Sequence, residues 1–301
     1  MANKEGSLWL SKSFLKSILE KSASPEAMDW LGQQMDKIEQ DKGGMKLYLA
    51  FGQASKHFSK KNLELIDHEI QEADSLRKGF RIQCWNELQT ARTLLLLSMV
   101  SEEDTFWLEK MDKIVETGDM HEQEALYAAL PLLPFPERLT KRAAEGLRTN
   151  IISIFDAIAL DNPYPSEYLE EKAWNQLLLK AIFMQRPLYR IIGADQRANP
   201  DLAKTLVDYV HERWSAGRSV MPELWRYVGP FLDEHSLPML DKVLREGEKL
   251  EQQAVALVCF KNHTEGAREL LENYPQLKSQ VASGSLSWEN VGKEYYDKQM
   301  A

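Results

Sequence analysis

Cysteine is nearly absent: Cys84 and Cys259 are the only two in 301 residues. No CxxC pair and no Cys/His ligand spacing occurs, which argues against a structural zinc site and predicts that the fold needs no metal or cofactor. Both thiols fall on apolar runs and read as buried, unreactive side chains, since free cysteine packs as a small hydrophobe. Long hydrophobic runs are also missing. Leu94-Leu95-Leu96-Leu97 is far short of the roughly twenty residues of a membrane span. The opening MANKEGSLWLSKSFLKSILEK mixes charge with apolar residues and lacks the apolar core of a signal peptide. These absences predict a cytoplasmic protein with no stable membrane insertion. Positive charge is scarce: 37 Lys and Arg face 46 Asp and Glu, a net charge of −9. Nucleic acid and anionic lipid both need a basic surface, so neither is expected as an obligate partner. There is no glycine-rich phosphate loop, no G-x-S-x-G and no Asp-rich motif of the prenyl-transfer kind. No window alternates apolar with polar residues over a strand's length, so no sheet is expected.

What is present is helical periodicity from end to end. Helices are predicted around Leu8–Leu19, from Ser24-Pro25-Glu26 onward, over Met45–Phe58, from Asn62 to about Ser75, and over Phe80–Val100. Ser101 followed by Asp104 has the spacing of a capping box. Trp107, Leu108, Met111, Ile114 and Val115 then share one helix face, and Gly118 ends it. The same unit returns 129 residues later: GDMHEQEALYAAL from Gly118 aligns with GEKLEQQAVALVC from Gly247. Upstream, Leu108, Met111, Ile114 and Val115 land on Leu237, Leu240, Val243 and Leu244. A short helix, a glycine and a second helix rich in small apolar residues resemble a HEAT-type hairpin. The expected fold is all-α, a right-handed stack of antiparallel helix pairs resembling HEAT-type repeats, with a compact multi-helix bundle as the alternative. It is read as one domain of four stretches: N-terminal helices over 1–100, a hairpin over 101–159, a distinctive segment over 160–231, and C-terminal hairpins over 232–301. The last short helix starts at Ser287-Trp288, and the final residues read as loose.

The segment 160–231 concentrates the chemistry. Asp161-Asn162-Pro163-Tyr164-Pro165 reads as a rigid, non-helical elbow. A helix over Tyr168, Trp174, Leu177, Leu178, Ala181 and Ile182 follows and stops at Pro187. Asn199-Pro200-Asp201 combines an N-cap, a first-turn proline and an acid at the positive end of the dipole. Leu202, Leu206, Val210 and Trp214 recur at four-residue steps until Gly217. Met221-Pro222-Glu223 opens a shorter helix with Leu224, Trp225 and Val228.

Three functional readings follow from these residues. Trp174, Trp214 and Trp225, interleaved with Asn175, Lys180, His211, Arg213 and Arg226, describe an apolar pocket with a few convergent polar groups. Asp161, Asn162 and Tyr164 add an acid, an amide and a phenol. Arg186, Arg190, Arg197, Arg213, Arg218 and Arg226 suit carboxylate or phosphate. The leading reading is a binding or adaptor surface for a small metabolite or a partner protein. The alternative is a cofactor-free helical enzyme with its acid–base group at Asp161, Asn175 or His211. The third is structural: Asp161 and Asn162 bond local backbone, the tryptophans are core, the arginines form salt bridges, and His211 pairs with Asp208. His211-Glu212 is not a metalloprotease motif, since Ser215 stands where the second histidine would be.

The runs LDNPYP, AWNQLLLKAIF, RANPDLAKTLVDYVHERW and PELWRYVGPF, in this order, resemble the EboA family, bacterial proteins encoded in a metabolic gene cluster. The resemblance is strongest over Leu160–Phe231 and weaker over Asp104–Asn150. The first hundred residues and the tail contribute little to it. It implies an all-helical cytoplasmic protein without an established reaction. It also implies a setting in the production or export of an isoprenoid-like or aromatic secondary metabolite. Partners would be that metabolite or other proteins of the same cluster. No catalytic residues carry over from the family.

Overall fold

The structure, a computed structural model, describes residues 2–41, 43–99 and 103–300. Ser101, the expected capping residue, lies outside them. The chain is all-α. Among the described residues there is no strand, and a lone bridge pairs Asn62 with Asn86. The helices group into two compact units, Met1–Leu169 and Glu170–Ala301.

The first unit holds α1 (Ala2–Leu19), α2 (Pro25–Glu39), α3 (Met45–Gln53), α4 (Asp67–Leu76), α5 (Glu87–Leu97), α6 (Asp104–Thr117), α7 (Met120–Ala128), α8 (Thr140–Leu147), α9 (Ile152–Ala159) and α10 (Tyr164–Tyr168). Its axis is α5, in which every residue from Glu87 to Leu97 is buried. A helix buried on all sides must be surrounded, and α1, α2, α3 and α7 surround this one. Arg92 is carried inside with it. Its Nε donates to the Phe51 carbonyl at 3.1 Å, its guanidinium lies 5.3 Å from the Phe51 ring centroid, and Glu122 stands 3.7 Å away.

The second unit holds α11 (Glu171–Phe183), α12 (Pro200–Ser215), α13 (Trp225–Val228), α14 (Leu237–Glu246), α15 (Lys249–Lys261), α16 (Glu265–Glu272), α17 (Pro275–Ala282) and α18 (Trp288–Met300). Here α15 is central, with Ala254 to Cys259 buried and α13, α14, α16, α17 and α18 packed around it. A compact bundle, the alternative to a right-handed stack of pairs, fits the arrangement within each unit.

The repeat at offset 129 is realised as the same corner in both units. Gly118 and Gly247 end α6 and α14, and their N–H groups reach the carbonyls of Ile114 and Val243 at 2.8 and 2.9 Å. Neither glycine needs a positive φ. Both are required by proximity, because an added Cβ would come within 2.5 Å of the Ile114 oxygen and 2.6 Å of the Val243 oxygen. In each unit the third residue of the next helix, Glu122 or Glu251, folds back to the amide of the capping residue, Asp119 or Glu248. Its other oxygen reaches outward, to Arg92 in one case and to the Val220 N–H in the other. The aligned letters therefore encode a capping device as well as apolar spacing.

Several expected boundaries shift. Residues 62–66 are not helical, and α4 starts at Asp67, where the Ile66 N–H is taken by Glu69 at 2.9 Å. Likewise Phe80–Asn86 is a turn-rich approach. The Leu63 N–H bonds the Trp85 carbonyl, and Asn86 caps α5 by accepting from Gln89 at 2.9 Å. Cys84 falls in that approach and is exposed, contrary to expectation, whereas Cys259 is buried. The proline elbow is partly helical: Pro163 caps α10, and Pro165 sits in its first turn, where the missing N–H has no helical partner to lose. The tail is helical as far as Met300, where α18 ends.

Candidate functional site

In the first unit, Asp161, Asn162 and Tyr164 turn the chain from α9 into α10. Asp161 takes φ 55°, a left-handed conformation that Asp tolerates, and its carboxylate is 3.9 Å from Arg81. Asn162 is buried. Its Nδ2 donates to the carbonyls of Ala157 and Tyr127 at 2.9 and 3.3 Å, and its Oδ1 accepts from the Tyr164 N–H at 2.9 Å. That is an Asx turn whose amide also ties α9 to α7. Tyr164 is buried and donates to the Pro136 carbonyl at 2.6 Å. Burial pushes its phenol well above the usual range, so it stays neutral. Asn162→Ala is expected to cost about 2–3 kcal/mol, because two carbonyls and one N–H lose a buried partner. A melt or urea titration checks it; a loss below about 0.5 kcal/mol would show that these bonds contribute little.

The other eight candidates lie in the second unit and divide by burial. Trp174 and Trp225 are fully buried. The Arg197 guanidinium lies 5.1 Å from the Trp174 ring. Asn175 pairs with Asn199 by reciprocal amide bonds of 2.8 and 3.2 Å. Asn199 also caps α12 by accepting from the Leu202 N–H at 2.9 Å. Arg226 clamps Asp195 with two bonds of 2.7 and 3.0 Å, which hold the Asp195 carboxyl below its usual range. Lys180 is half-buried, and burial lowers its pKa.

His211, Arg213 and Trp214 stay at the surface, and the reason is helix geometry. Leu202, Leu206 and Val210 fill the buried stripe of α12, so residues off that stripe fall on its flanks. On one flank, half-buried Trp214 lies tilted against Trp225, with ring centroids 6.3 Å apart. His211 meets its edge at 6.1 Å, and the Lys242 ammonium stands 4.7 Å from its centroid. On the other flank, Phe183, 61% exposed, meets Tyr209 edge-on at 5.3 Å, with the Arg213 guanidinium 6.0 Å from the Tyr209 ring. Arg213 also donates two bonds, of 3.0 and 2.8 Å, to the Ser219 carbonyl. His211 makes no pair with Asp208; its neighbour is Trp214.

The most perturbed acid of this unit was not among the expected residues. Glu223, three residues before Arg226, is 0% exposed. Its Oε2 accepts from the Leu188 N–H at 3.2 Å and its carboxyl also takes the Tyr189 N–H, while Oε1 has no hydrogen-bond partner. Burial pushes this carboxyl up to about 8. Tyr227, one turn on, is also fully buried with its hydroxyl unpartnered. By sequence, Glu223 follows a proline at a helix start, the usual place of a solvated first-turn acid. Its only local signal was the i, i+4 spacing to Tyr227.

No curated protein and no solved structure matches the chain. The model of the EboA family, described as metabolite traffic protein EboA, matches residues 11–229. That span includes most of the first hundred residues, which the quoted motifs do not reach. Since it covers well over half of the sequence, the chain belongs to the EboA family of metabolite traffic proteins.

Proposed function

We propose that the chain serves metabolite traffic as a binding protein, with the flanks of α12 as the surface that takes an apolar, anionic small molecule. The observation that carries this reading is the alternation of half-buried and exposed rings with cations. Lys242 lies over Trp214 and Arg213 beside Tyr209, with Phe183 largely exposed next to it. Among the described residues neither Lys242 nor Arg213 has a carboxylate partner. Ring faces favour an apolar body, and a cation held against a ring favours an acid group. This chemistry suits an isoprenoid-like or aromatic secondary metabolite moving between proteins of its own gene cluster, in biosynthesis or export. No described helix is long and apolar enough to cross a membrane, so such a role would involve binding rather than a helical channel.

The enzyme alternative finds less support. Asn175 is engaged with Asn199, Asp161 lies beside Arg81, and the perturbed Glu223 is wholly enclosed. The test is co-purification from cells that make the pathway product, with mass spectrometry of what the full chain retains. The expected result is a retained apolar acid that disappears in Trp214→Ala/Lys242→Ala while the melting temperature falls by no more than about 4 °C. Equal retention by the variant, or no retained small molecule, would refute the assignment to this surface.

A further inference from the structure

We propose that Glu223 is a proton-controlled latch for the C-terminal helix: neutral, it lets α18 close over the Pro222–Leu224 turn, and ionised, it releases α18 from the second unit. The contact is made by Gly292, which is buried in α18. A Cβ built there would stand 2.5 Å from both Cδ and Oε1 of Glu223 and 2.6 Å from the Tyr189 ring. The backbone of α18 is therefore the cover over Oε1, the oxygen without a partner. A protonated carboxyl tolerates that cover. A carboxylate does not, because an uncompensated buried charge must regain water or a donor, and the side open to neither is the one α18 closes.

Neighbouring charges leave that demand unmet. The cation that attracts Glu223 is Arg226, and Arg226 is clamped on Asp195. The Leu188–Arg190 turn contributes two amides and the Tyr189 ring. From α13 comes the neutral, buried phenol of Tyr227. From α15 comes another acid, Glu251, itself raised by burial and bonded to the Val220 and Glu248 amides. The ionisable groups of α18 engage elsewhere: Glu294 with Lys249 and Lys298, Tyr296 with Arg186, and Tyr295 in the field of Arg213 and Tyr209. Glu289, Lys293 and Asp297 are exposed. Apart from Gly292, α18 buries Trp288 and Val291, a small apolar grip for thirteen residues. Because Tyr295 lies in the field of Arg213 and Tyr209, release of α18 would further expose an already partly open flank of α12.

Hydrogen exchange of the full chain between pH of about 6.5 and about 9, corrected for intrinsic rates, reads the latch directly. Protection of amides 288–300 is expected to fall about tenfold or more across that range and to stay below that of α15 throughout, since a pKa crossed by one unit changes a population about tenfold. Glu223→Gln should abolish the fall, and Glu251→Gln should retain it. Gly292→Ala should release α18 at both ends of the range. The proposal is overturned by a wild-type α18 indifferent to pH, by a fall that survives in Glu223→Gln, by α15 amides exchanging as fast as those of α18, or by a Gly292→Ala helix as protected as wild type. The reading needs no ligand, so it stands or falls independently of metabolite retention.

Discussion

Raising the pH from about 5 to about 8 is expected to destabilise the second unit by several kcal/mol. Glu223 holds its proton up to about 8 in the folded chain, against 4.5 for an ordinary glutamate, because burial penalises the charged form. Unfolding exposes the carboxyl, which then releases its proton. Across the window between those two values the unfolded state binds fewer protons, and stability falls as pH rises. The full contribution is present below the ordinary value and is gone once the pH passes the folded one. One pKa unit is about 1.4 kcal/mol, so the effect is bounded at roughly 5 kcal/mol. Glu251 is shifted in the same direction by burial and adds to it. Asp195 and Glu294 are shifted the other way by Arg226 and Lys298, and their effects fall at the acid end, outside this window. Urea unfolding of wild type and Glu223→Gln at several pH values measures the effect. The two should converge near pH 5 and separate towards pH 8, with the glutamine variant the more stable; parallel behaviour would mean that Glu223 titrates normally.

Trp174→Ala is expected to cost about 3–5 kcal/mol, the range for deleting a fully buried aromatic side chain, since Trp174 has no exposed surface. Trp214→Ala should cost about 1 kcal/mol or less, because that ring is already half in water. Trp174→Phe should recover most of the loss: the Trp174 Nε1 has no hydrogen-bond partner to give up, so the residue contributes through volume and dispersion. Equilibrium unfolding of the three variants tests the division. A Trp174→Ala loss no larger than that of Trp214→Ala would contradict the placement of Trp174 in the core and return it to the candidate surface.

Much of the fold was legible in the sequence, because helices are encoded locally. The four-residue steps of Leu202, Leu206 and Val210, the cap at Asn199 and the stops at Gly118 and Gly247 act over a turn or two. The two corners at offset 129 were readable because a capping device reuses the same letters at the same spacing. The family was legible in the ordered motifs of 160–231. Errors came where the chain is set by distant partners. The helix expected from Phe80 begins only at Glu87, since the Trp85 carbonyl is taken by the Leu63 N–H and the first helical amides, Glu87 and Leu88, are held by the carbonyls of Lys61 and Ser59. Burial was the larger uncertainty. Trp174, Trp214 and Trp225 look alike in sequence, yet two are sealed and one is not, because only packing against other helices decides which flank stays open. Glu223 shows the limit most clearly. Within a turn of it only the i, i+4 spacing to Tyr227 hints at anything other than a solvated first-turn acid. The difference is made by the amides of Leu188 and Tyr189 and the bare backbone of Gly292, which approach only when the chain has folded.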